Sequence, residues 1–148
     1  MAVRRIGLLT LAVLLLAGNA RATEPRQFDY MLNCQGCHLP DGSGNPARNV
    51  PAFPGQLGKF LGVPGGREYL VQVPGSALSG LSDEALAGVL NWMLARFDAR
   101  HLPADFNPYT GAEVRQWRGA VPADVETTRN RLLQRIAEQE RRSGNPDR

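Results

Sequence analysis

The chain has 148 residues, 43% of them hydrophobic and 21% charged, an ordinary globular composition with room for one domain and flanking segments. The pI of about 9.3 is no nucleic-acid signature. Of the 17 basic side chains, Arg4, Arg5 and Arg21 fall in an N-terminal targeting pattern, and the remaining 14 balance the 14 acids, so no basic footprint is left.

In chain order, Met1 to Arg5 form a short basic stretch and Ile6 to Ala17 an almost unbroken apolar run. A dozen residues fall short of the roughly 30 Å core of a bilayer. With the small-x-small site Ala20-Arg21-Ala22, residues 1–22 read as a signal peptide, predicting export to the periplasm and no stable membrane span after cleavage. Pro25 then opens a short helix through Asn33, with Phe28, Met31 and Leu32 at helical spacing.

Residues 39–80 read mostly as loop, rich in Gly and Pro, with a short helix around Arg67 to Val73. A span this long and irregular is uncommon in a compact domain unless it wraps something. The strongest helix runs from about Asp83 to Phe97. Ser82 is its N-cap, Asp83 and Glu84 occupy the first turn, Leu81 and Leu86 sit at staple positions, and Leu86, Val89, Leu90, Met93, Leu94 and Phe97 form its apolar stripe. After a loop over 98–109, Thr110-Gly111-Ala112-Glu113 is a capping box opening a helix to Arg118. A last helix is expected from Pro122, with Val125, Leu132, Leu133 and Ile136 as its seam, and the charged stretch from Glu138 onward is expected to fray.

The chemistry sits in Cys34-Gln35-Gly36-Cys37-His38, which holds the only two cysteines. Cys-x-x-Cys-His suits thioether attachment of a haem, with the adjacent histidine held close to the iron. Three plainer readings compete. A structural zinc site would need Cys34, Cys37, His38 and His101 together. A dithiol redox pair would need a strand-helix-strand context that is missing. The third is a chance occurrence of the motif beside an unrelated function; a disulfide across two residues would add little stability.

With these residues, residues 27–97 resemble the class I mono-haem c-type cytochromes. The resemblance rests on the first helix, the Cys34 to His38 motif, the Asp41-Gly42-Ser43-Gly44 turn and the helix from Leu81 to Trp92. It implies an all-α, cytochrome c-like fold whose first and last helices cross beside a loop-wrapped haem. One covalent haem c is implied, with Cys34 and Cys37 as thioether residues and His38 as the proximal iron ligand. Pro51 resembles the proline whose carbonyl accepts from that histidine. The chain departs from the family in one respect: the loop from Val71 to Gly80 lacks the usual methionine ligand. Met93, on the apolar stripe, and His101, in the next loop, are the two candidates for the sixth position. An open iron or a partner-supplied ligand is the alternative.

Arg67 is a candidate haem-propionate partner against the plainer reading of a solvated arginine, and Tyr30 and Trp92 are expected at the helix crossing. The expected organisation is a signal peptide over 1–22, a cytochrome domain over 23–102 and a helical C-terminal extension over 103–148. The extension either packs on its own domain or docks a partner. The leading function is periplasmic electron transfer between ferric and ferrous iron with redox partner proteins, with no catalytic residue. The alternatives are ligand binding or peroxide chemistry at an open distal site, and a subunit role in a larger periplasmic oxidoreductase.

Overall fold

The computed structural model describes residues 24–144; the segment expected as a signal peptide lies outside them. Among the described residues seven α-helices follow one another: α1 (Pro25–Asn33), α2 (Gln35–His38), α3 (Gly66–Gln72), α4 (Pro74–Ala77), α5 (Asp83–Asp98), α6 (Gly111–Trp117) and α7 (Val125–Ser143). Among the described residues there is no strand, only one isolated bridge between Asn45 and Val50, so the expected all-α class holds. No helix of the described residues is long and apolar enough to cross a membrane.

α5 is the central helix. The Ser82 hydroxyl accepts from the Ala85 N–H at 3.1 Å, and Leu86, Val89, Leu90, Met93 and Leu94 are all buried. Each such side chain contributes about 1.5–3 kcal/mol, which makes this stripe the backbone of the core. α1 crosses α5 where Tyr30, 1% exposed, packs its ring 5.3 Å from both Trp92 and Phe97. The aromatic crossing expected from the sequence is thus present.

The region after residue 38 holds more helix than its composition predicts. Besides α3 and α4 there are short 3-10 turns at Pro46–Arg48 and Gly58–Gly62. Gly66 admits the close approach that links two of these pieces: a Cβ there would overlap the Phe60 carbonyl. Asp98 is buried at the end of α5, and its carboxylate accepts from the Gly55 and Gly58 N–H groups at 2.9 and 2.7 Å. One acid thus ties the loop before α3 to the end of α5.

The extension shares this core. Tyr109, Val114, Leu132 and Ile136 belong to the same buried cluster as Tyr69, Val71 and Leu90. The Thr110–Glu113 capping box forms as expected. Two details differ from expectation. α7 starts at Val125, because Asp124 accepts from the Thr127 N–H at 2.8 Å and is the better cap than a proline start. The helix also continues through the charged stretch to Ser143 and ends on Gly144 in the left-handed conformation.

Candidate functional site

Cys34 ends α1 and α2 carries Cys37 and His38, so this short segment brings two thiols and an imidazole to the wall of one cavity. All three line a cavity of about 740 Å³, within the range of small-molecule and cofactor sites. Neither cysteine is in a disulfide. Immediately after His38 the chain turns through Leu39 at φ +61°, a conformation costing about 1–3 kcal/mol for a residue with a side chain. The Tyr30 hydroxyl holds that turn by donating to the Leu39 carbonyl at 2.6 Å.

His38 Nδ1 lies 3.1 Å from the Pro51 carbonyl oxygen. A carbonyl can only accept, so Nδ1 carries the proton and Nε2 keeps its lone pair. Burial holds the imidazole below its ordinary pKa, outweighing the opposing Pro51 hydrogen bond. The neutral, ligating form is therefore favoured. Phe53 stacks on the ring at 4.0 Å between centroids and connects through Phe97, at 5.9 Å, to the aromatic crossing. Gly44 makes the Pro51 contact possible. It lies at φ +72°, and a Cβ there would come 2.5 Å from the Pro51 carbonyl oxygen.

The Cys34 thiol is pushed up to about 11 by burial first, then by the charges of Asp29 and Cys37. A dithiol redox catalyst needs the opposite, a thiol pulled down toward neutrality. The zinc reading also loses its geometry. Among the described residues no three His, Cys, Asp or Glu side chains gather to hold a metal.

The two candidates for a sixth ligand separate. Met93 is 5% exposed and lines the cavity with His38. His101 is absent from the cavity wall. Its side chain is 3% exposed and its Nδ1 lies 2.5 Å from the Asp98 carboxylate. The Asp-x-x-His spacing at the end of α5 was the available sequence signal for this internal pair.

Arg67 is not a cavity residue either. Its guanidinium makes two hydrogen bonds to Glu113, at 3.0 and 3.1 Å, and a third to the Asn107 carbonyl at 2.8 Å. It also lies 4.1 Å over the Tyr109 ring. Both expectations for this residue, propionate partner and solvated surface, give way to a clamp on the extension.

Sequence reasoning missed that α7 forms part of the cavity wall, through Val125, Glu126, Arg129 and Asn130. The rest of the wall is mainly apolar, with Leu57, Phe60, Leu70, Leu86, Val89 and Leu90 among its residues. Two thiols and a neutral imidazole on an apolar wall, with charged groups on one helix, fit a flat tetrapyrrole with carboxylate substituents.

No family profile and no solved structure match the chain. Two curated proteins do, both from Thermus thermophilus. Over 143 residues the chain is 29% identical to a cytochrome c-552 of that species, covering 83% of this chain and 96% of that protein. Over 119 residues it is 30% identical to a second cytochrome c-552 of the same species, covering 67% of this chain and 90% of the relative.

Proposed function

We propose that this chain, which belongs to the c-type cytochrome family, is an exported electron carrier that works between redox partner proteins in the periplasm. Membership of that family brings a covalently bound haem c, and the residues of the cavity fit it. Bound there, the haem supplies a one-electron ferric/ferrous couple.

Cys34 and Cys37 are the thioether residues in this reading, and His38 is the proximal ligand. Pro51 fixes the tautomer and orientation of His38 and makes its Nε2 a better donor. Met93 is the proposed sixth ligand, because it is the one thioether on the cavity wall and His101 is engaged by Asp98. The apolar walls exclude water from the site and thereby bear on its potential. One observation carries the proposal: two thiols and a neutral imidazole, its Nδ1 proton committed to Pro51, share one mainly apolar cavity.

The test is expression in a host that exports and matures cytochromes, followed by denaturing electrophoresis and film voltammetry. The expected result is haem that stays with the denatured polypeptide and a reversible one-electron wave. Haem that separates on denaturation overturns the covalent assignment, and a wave that grows with added peroxide points to catalysis instead.

A further inference from the structure

The extension does more than cover the core, because α7 brings charge into the cavity. Arg129 is the one Arg or Lys among the lining residues. Other arginines are committed elsewhere: the half-buried Arg67 to Glu113 and Arg118 to Asp83 and backbone carbonyls, and the exposed Arg135 to the Pro64 carbonyl. Arg129 has no ion-pair or hydrogen-bond partner among the described residues, not even Glu126 one turn before it.

Its charge is nevertheless felt inside. Burial raises the Tyr69 phenol, and the nearby Arg129 guanidinium pulls it part of the way back. The helix is well anchored beyond this point. Leu132 and Ile136 are buried, Lys59 pairs with Glu140 at 2.7 Å, and Arg135 donates to the Pro64 carbonyl at 2.9 Å. A half-buried cation on a fixed helix, with no protein partner among the described residues and facing a mainly apolar cavity, calls for an anion supplied by whatever fills that cavity.

We propose that Arg129 holds a haem carboxylate, which makes the C-terminal extension part of the cofactor site and Arg129 a positioning residue for the redox centre. The inference rests on the haem assignment above. A guanidinium paired with a carboxylate cancels negative charge that would otherwise stabilise the more positive ferric state. Arg129 therefore raises the reduction potential. Glu126 and Asn130 flank it on the same wall and stay solvated at the rim.

The test uses the full-length holoprotein with Arg129→Gln, Arg129→Lys and Arg131→Gln, the last being an exposed residue of α7 off the cavity wall. Haem content per chain, midpoint potential and the propionate-bending band in resonance Raman spectra are measured for each. Thioether attachment should leave haem content unchanged in all three. Arg129→Gln should lower the potential and move the propionate band. Arg129→Lys, which keeps the charge, should return the potential toward wild type, and Arg131→Gln should move neither. If Arg129→Gln leaves potential and band unmoved, or if Arg131→Gln shifts the potential equally, the proposal is overturned. A wild-type protein without covalent haem would instead defeat the earlier reading, a result distinct from loaded haem with an unmoved potential.

Discussion

The segment that carries the cysteine motif and the C-terminal extension are held in place in opposite ways. Around the motif, large apolar side chains face outward: Phe28 is 52% exposed and Leu32 68%. Only Tyr30 of α1 is buried, and the inner side of this segment borders the cavity. The extension buries Tyr109, Val114, Leu132 and Ile136 and adds directed polar contacts. Arg118 alone donates to the carbonyls of Ala77, Ser79 and Leu81 and to Asp83. The functional segment thus depends on what fills the cavity, whereas the appended segment is held mainly by its contacts with the rest of the protein. A family's signature and a chain's intrinsic stability need not reside in the same residues.

The largest test of this contrast removes the covalent link. In Cys34→Ala/Cys37→Ala the cavity of about 740 Å³ loses its tethered filling. Left unfilled, the cleft opens its mainly apolar wall to water, and the burial of that wall, at about 25 cal/mol per Å², is lost. The cavity should collapse, with a loss of helical circular dichroism, and limited proteolysis should cut first within residues 39–57. First cleavage within 103–143 would reverse the comparison.

Next in size is Asp98→Ala. It leaves the Gly55 and Gly58 N–H groups and the His101 imidazole without their acceptor. Buried groups orphaned in this way cost about 1–3 kcal/mol each, so a loss of about 3 kcal/mol or more is expected in urea unfolding of the holoprotein. A loss below about 1 kcal/mol would mean that the loop before α3 does not depend on this acid.

A smaller effect sharpens the account of the extension. Burial opposes ionisation of Glu113, but its hydrogen bonds with Thr110 and Arg67 prevail and hold the carboxyl below the usual glutamate value of 4.5. A group depressed in the folded state contributes stability that is complete above its unfolded pKa and is lost as pH falls through the folded one. Stability should therefore decline as pH drops below about 4.5, with a shallower decline in Glu113→Gln. Equal acid slopes in the two proteins would remove Glu113 from the explanation.

Local patterns made much of this legible in the sequence. Ser82 capping α5, the Thr110–Glu113 box, the aromatic pair Tyr30 and Trp92 and the Pro51 carbonyl each follow from residue type and short spacing, or from a resemblance resting on them. The parts that were not legible depend on distant partners. Arg67 meets Glu113 from 46 positions away, and nothing in Gly65-Gly66-Arg67 announces that partner. His101 reads as a loop histidine that could reach the iron until the fold buries it against Asp98. The face of α7 that enters the cavity, Val125, Glu126, Arg129 and Asn130, mixes apolar and charged residues and so resembles a solvated surface. The loop from Val71 to Gly80, lacking methionine, hinted that another segment completes the site, but not which one.

The most direct test of the central claim is the absorption spectrum of the reduced holoprotein before and after carbon monoxide. An electron carrier with Met93 in the sixth position should give sharp low-spin bands that carbon monoxide leaves unchanged in wild type, and should bind the gas once Met93→Ala opens the site. Immediate binding of carbon monoxide by the wild-type protein would contradict the account and make ligand or peroxide chemistry the better reading.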